Sequence, residues 1–142
     1  GYDERQYCSP GFNLPIGCLM RSVYGTFPEY HTSADNLSFI TQQELCRSYD
    51  LVAGLLDLLD NNRTYARTDG RGEPQLGRRG LYRAISGQKE SGGANQMDLL
   101  WFLNLADGHH SLLDIARRAD VPFTRICAAA RLALDAALVR EI

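Results

Sequence analysis

The last third of the sequence, Asn95 to Ile142, constrains the fold most, because apolar residues recur there at helical spacing between well-placed caps. A first helix carries Met97, Leu100, Trp101 and Leu105 and ends near Asp107-Gly108. Ser111 then caps a short second helix, since its hydroxyl can accept from an orphan N–H of the first turn. Asp114 sits where the helix dipole favours negative charge. Leu112, Ile115, Ala116 and Ala119 form the inner face of this helix. Ala119 to Val121 is a tight turn, and Pro122 suits the first turn of a third helix. That helix puts Phe123, Ile126, Cys127, Ala130, Leu134, Ala137 and Leu138 on one side, and Val139 to Ile142 begins a strand.

Short helix, tight turn, longer helix and strand is the order of a winged helix-turn-helix. A second wing strand does not follow, so the last strand is expected to pair with something upstream or to leave the wing incomplete. The charge speaks against a DNA role. Residues 95–142 hold five arginines (117, 118, 125, 131 and 140) against six acids (98, 107, 114, 120, 135 and 141). A duplex-binding surface has to neutralise several phosphates. The candidate recognition helix offers Thr124, Arg125 and Arg131, with no Asn, Gln or Lys for base edges. Its alanine-rich surface is expected to pack against protein instead.

A second patterned element lies upstream. Thr41 is a good N-cap and Glu44 completes a capping box. Leu45, Tyr49, Val52, Leu56 and Leu59 then recur at spacings of four and three, and Leu51, Leu55 and Leu58 form a stripe beside them. A helix apolar over so wide an arc expects cover on more than one side. Asp60-Asn61-Asn62 ends it.

The remaining segments are loop-rich. Residues 1–40 abound in Gly, Pro, Asn and Ser around one expected strand, Cys18 to Val23, and are too few to bury a core of their own. Between Arg63 and Arg83 six arginines (63, 67, 71, 78, 79 and 83) face Asp69 and Glu73. That local charge could meet an anion or nucleic acid. Yet only Tyr65 and Tyr82 are there to stack on bases, so arginines pairing with acids elsewhere in the protein is the favoured reading. Ser86 to Ala94 reads as a mobile stretch.

Whole-chain totals narrow the class. The 142 residues carry a net charge of −2, which excludes a global field for nucleic acid or membrane. The longest apolar stretch, Leu51 to Leu59, is far too short to span a bilayer, and no signal peptide is visible. Cys8, Cys18, Cys46 and Cys127 contain no CxxC pair and read as reduced thiols, so the expected location is cytoplasmic.

Three histidines raise the question of metal. His109-His110 reads as an exposed turn pair. His31 has Asp35 four residues on, placed to orient an imidazole ligand, although spacing alone does not distinguish this from polar surface. The run Tyr30-His31-Thr32-Ser33-Ala34-Asp35 resembles the His-Thr-x-x-Asp segment that supplies the last zinc ligand in co-catalytic two-zinc aminopeptidases. The segment from Asp3 to Gly11, continuing through His31 to Leu37, resembles one branch of that clan. Gly72 to Tyr82, Leu100 to Asn104 and Asp107-Gly108 resemble the same branch. Its members are bacterial aminopeptidase-like proteins linked to polysaccharide biosynthesis that carry a C-terminal winged helix.

The resemblance implies that His31 is a zinc ligand and Asp35 its supporting acceptor. Asp3 is similar to the Asp of an active-site Ser-Asp segment in related enzymes, although Tyr2 precedes it here. It also implies an α+β arrangement. Residues 1–63 would be the C-terminal loop–strand–helix piece of an aminopeptidase-like α/β domain. Residues 64–142 would be a mainly helical winged helix-turn-helix with an Arg/Gly-rich lead-in over 64–94. The partner is then the remainder of the aminopeptidase-like domain, which would hold the other zinc ligands and the general base, and the chain alone is expected to be inactive. Two other classes stay open: a winged-helix nucleic-acid-binding regulator, and a structural module that assembles a homo-oligomer.

Overall fold

The computed structural model describes residues 2–81 and 93–142. The chain divides into two compact units, Gly1–Ala53 and Gly54–Ile142. Of the sequence expectations, those for Tyr82, Arg83 and the stretch from Ser86 to Gly92 lie outside the described residues.

In the first unit a short helix, α1 (Asp3–Tyr7), precedes a long run of turns. The strand expected at Cys18 to Val23 is not formed; that backbone is irregular. A strand needs a neighbour to take its N–H and C=O groups, and among the described residues none runs beside this one. The unit holds no buried residue among those described, so its aromatic and aliphatic side chains have no core to enter.

Helix α2 (Gln42–Asn61) begins and ends close to where its punctuation places it. Thr41 Oγ1 accepts from the Glu44 N–H at 3.3 Å. The second half of the expected capping box is replaced, because the Glu44 carboxylate pairs with Arg21 and with Arg47. The division between the two units falls inside this helix.

The second unit is built on β1 (Thr64–Arg67), α3 (Gln96–Leu105), β2 (Asp107–Ser111), α4 (Leu112–Ala119), α5 (Phe123–Asp135) and β3 (Val139–Glu141). The strands form an antiparallel sheet in the order β2-β1-β3. The last strand therefore pairs upstream: Tyr65 faces Glu141 and Arg67 faces Val139. On the other side Thr64 faces Ser111 and Ala66 faces Asp107, with a register shift between them. Neither β1 nor β2 was legible in the sequence. The segment Asp107-Gly108-His109-His110, expected as a turn, pairs with β1, and Gly108 adopts φ 85 where a Cβ would sit 3.6 Å from that of Ala66.

The core lies between this sheet and the three helices. Leu99, Phe102, Ile115, Ile126, Ala129 and Ala133 are fully enclosed, and Tyr65 from β1 meets Phe102 edge-on at 5.7 Å. Burying a side chain of Phe or Leu size contributes about 1.5–3 kcal/mol. Helix α5 turns its alanines inward against α3 and α4, which corrects the expectation that its alanine-rich surface faces a partner. Leu134 is exposed, and Ala137 lies past the helix end at φ 54, so neither belongs to the inner face where spacing put them. Pro122 stands at the N-cap of α5, one residue before the helix.

Helix α3 is rotated relative to the expected face. It buries Asp98, Leu99, Phe102, Leu103 and Leu105, while Met97 is exposed and Leu100 and Trp101 are half-buried. The helix is apolar nearly all round, so periodicity could not choose a side; Asp98 does. Its carboxylate closes a capping box with Asn95, accepting from the Asn95 N–H at 2.8 Å. The same carboxylate receives Arg125 in a bidentate pair, with Nε to Oδ2 and Nη2 to Oδ1 both at 2.8 Å. Asp98 is only 1% exposed. Every lone-pair direction needed to hold a buried carboxylate is thus supplied from α3 and α5.

Two outcomes follow from this packing. Arg125→Ala strands a buried carboxylate and is expected to cost about 3–5 kcal/mol in urea unfolding, whereas the exposed Arg140→Ala should stay within about 0.5 kcal/mol. Asp107 accepts from the backbone N–H groups of His109 and His110, with His110 Nδ1 also 2.8 Å from its carboxylate. Those backbone bonds, reinforced by the His110 ring, lower its pKa to about 2. A depressed carboxylate stabilises the fold above its ordinary value and loses that contribution as pH falls towards about 2. Carboxyl NMR titration should place the Asp107 midpoint near that value, and a midpoint near 4 would show the β2 turn to be open.

Candidate metal-ligating segment

His31 sits on a chain of overlapping turns in the first unit. The Thr32 N–H and Oγ1 both donate to the Glu29 carbonyl, at 3.1 and 2.8 Å, and the Asp35 N–H donates to the Thr32 carbonyl at 3.2 Å. These bonds hold His31 at φ 59, in the left-handed region that histidine enters more readily than most residues. Tyr30 supports it laterally. The two rings are 4.1 Å apart and steeply inclined, and Tyr30 in turn lies 5.7 Å from both Tyr24 and Phe27. The imidazole is exposed and makes no hydrogen bond among the described residues.

Asp35 lies on the same run of turns, exposed, without a hydrogen bond to His31. Asp3 is exposed in the first turn of α1. No three His, Cys, Asp or Glu side chains come together to hold a metal among the described residues. Zinc needs about four donors, typically imidazole, thiolate or carboxylate. His31 is chemically suited to be one of them, but the described residues of this chain do not complete a set.

The other histidines have structural duties. His110 is tied to Asp107, and His109 lies on β2 with its backbone N–H committed to the same carboxylate. The four cysteines are free. Burial raises the Cys127 pKa, which favours its neutral thiol.

The arginine-rich lead-in is also largely engaged within the chain. Arg63 pairs with Glu141, Arg71 with Asp69, Arg67 donates to the Gly72 carbonyl at 2.6 Å and Arg79 to the Ala136 carbonyl at 3.1 Å. Arg125, a candidate for base contact by position, is spent on Asp98. Sequence reasoning missed this pair, although the Asn95-x-x-Asp98 spacing of a capping box was its visible trace. The rotation of α3 leaves Met97, Leu100 and Trp101 lining a pocket of about 470 Å³ with Arg67, Glu73 and Pro74. No described helix is long and apolar enough to cross a membrane.

Comparison with known proteins accounts for both parts of the chain. Residues 1–62 match a domain of unknown function, and residues 63–141 match a winged helix-turn-helix. A Clostridium acetobutylicum protein, named by inference as a polysaccharide biosynthesis protein with an aminopeptidase-like domain, is 48% identical over 126 residues. The match takes in 89% of this chain and 29% of that protein. A crystal structure of an inferred peptidase from the same organism superposes with a TM-score of 0.82 at 41% identity, over 99% of this chain and 30% of the other. The chain thus spans under a third of the length of the proteins it matches. Through residues 63–141, with their β2-β1-β3 sheet and three packed helices, the chain belongs to the winged helix-turn-helix family.

Proposed function

We propose that the chain is part of an aminopeptidase-like, zinc-dependent hydrolase of amide bonds, to which it contributes one metal ligand and an appended winged helix. The observation that carries this reading is the 48% identity, spanning most of the chain, to a protein with an aminopeptidase-like domain. His31 is the ligand: the turn from Glu29 to Asp35 presents its exposed imidazole beside Tyr30. Asp35 is its supporting acceptor, and Asp3 lies near the same centre. Zinc in such enzymes supplies Lewis acidity and an activated water. The remaining ligands and the proton-transferring carboxylate belong to the rest of the hydrolase, so this chain alone neither holds the metal nor cleaves substrate. The substrate is a peptide or another amide.

The winged helix serves protein contact. Residues 95–142 carry five arginines against six acids, and Arg125 is committed to Asp98, so the helices present little net positive charge to phosphates. Duplex DNA is expected to bind no tighter than the non-specific range of about 10⁻⁴–10⁻⁶ M at physiological salt. A nanomolar, salt-sensitive affinity for some duplex would reverse the assignment.

Metal analysis tests the zinc reading directly. The 142-residue chain is expected to retain no stoichiometric zinc after dialysis and to release no product from aminoacyl-anilides. One tightly held zinc per chain would refute it. In a protein of the clostridial relative's length carrying these residues, His31→Ala should abolish stoichiometric zinc at one site. Asp35→Asn should weaken metal affinity by about 10–100-fold. Unchanged zinc content in the His31 variant removes His31 from the site.

A further inference from the structure

Helix α2 carries a long apolar face that the described residues leave open. Leu45, Tyr49, Leu51, Val52, Leu55, Leu56 and Leu59 are each more than 40% exposed. At 100° per residue the apolar positions fill one continuous arc of roughly 180°, half the circumference of the helix. Asp50, Asp57, Asp60 and Gln43 lie on the other half. Inside the arc lie two polar side chains, Glu44 and Ser48. The Ser48 hydroxyl donates to the Glu44 carbonyl at 3.0 Å, so it asks nothing of a partner. At the N-terminal edge, Glu44 is already neutralised by Arg21 and Arg47. The face is therefore prepared for dry burial over the nearly 30 Å that 20 helical residues span.

The geometry points to one occupant, an apolar face of the larger aminopeptidase-like body, against which α2 docks as a buried seam helix. This inference rests on the functional reading above and names the surface through which the chain joins that body. Two observations choose this occupant over a second copy. The solved relative reproduces the fold of 99% of this chain while more than two-thirds of its own length lies outside the match. The unit ending at Ala53 has no buried residue among those described, and it exposes Tyr2, Phe12, Leu19, Val23, Leu37 and Ile40 besides the α2 face. Covering so many side chains takes an obligate interface of about 2,000–5,000 Å².

The seam can be tested without an assay of catalysis. The chain is co-expressed with the part of the clostridial relative that lies outside their match, so that neither polypeptide has to fold alone. The two are expected to copurify, and amides of residues 45–59 should exchange at least tenfold more slowly in the complex than in the chain by itself. Leu55→Asp combined with Leu56→Asp should weaken copurification at least tenfold while amides of residues 96–139 keep their protection, which separates a lost seam from an unfolded chain. Failure to copurify overturns the proposal, as does α2 protection in a chain that self-associates without the body. Zinc bound by a complex whose α2 amides stay unprotected would sink the seam and leave His31 standing. A protected seam without zinc would do the reverse.

Discussion

The buried pair of Asp98 and Arg125 is the constraint on which the winged-helix unit depends. A carboxylate that is 1% exposed survives only where its charge is matched, and here the match comes from a guanidinium on another helix and a backbone N–H of its own N-cap. That requirement fixes the rotation of α3, because only one orientation points Asp98 at α5. Once the rotation is set, Phe102 and Leu99 enter the core, and Met97, Leu100 and Trp101 are turned towards the loop around Pro74. The same bond removes Arg125 from the outer surface of α5. One ion pair thus shapes the core and takes away a cation that a DNA-binding surface would use.

The sheet follows a second logic. Its central strand, β1, comes from ahead of all three helices and receives β2 on one side and β3 on the other. Both edges of β1 are thereby satisfied by segments distant in sequence, and Leu112, Arg67 and Ile142 extend the ladder with further backbone bonds. The Arg-rich character of the lead-in makes sense in this setting. Arg63 spans β1 to β3 through Glu141, and Arg79 ties the loop to the end of α5. Cations that look like an anion-binding cluster in one dimension are distributed over separate intramolecular acceptors in three.

Much of the helical part was legible because its signals are local. Thr41, Ser111 and the break at Asp60-Asn61-Asn62 act within one turn of the residues they govern, so the sequence alone locates α2, α4 and their ends. Of the strands only β3 was legible; β1 and β2 were not, since a four- or five-residue strand rich in Arg, His and Gly carries no clear alternation, and the pairing depends on partners 41 to 76 residues away. The strand expected at Cys18 to Val23 shows the converse, a β-like composition with nothing beside it to pair with. The face of α3 was misjudged for a third reason, namely that an apolar helix is oriented by its one buried acid.

The candidate metal-ligating segment is read from resemblance and not from physics. Nothing in the spacing of His31 and Asp35 separates a ligand from surface, and the structure adds only that the imidazole is presented on a well-bonded turn beside Tyr30. The two units differ in the same way. The described residues of the unit from Gly54 to Ile142 enclose a core of their own. Residues up to 53 have turns, caps and aromatic contacts but no interior. A segment of that kind gains its stability where its apolar groups are covered, and a single imidazole gains chemical meaning only where other donors converge on it. On the proposed reading both requirements are met by the same event, the joining of this segment to a larger body.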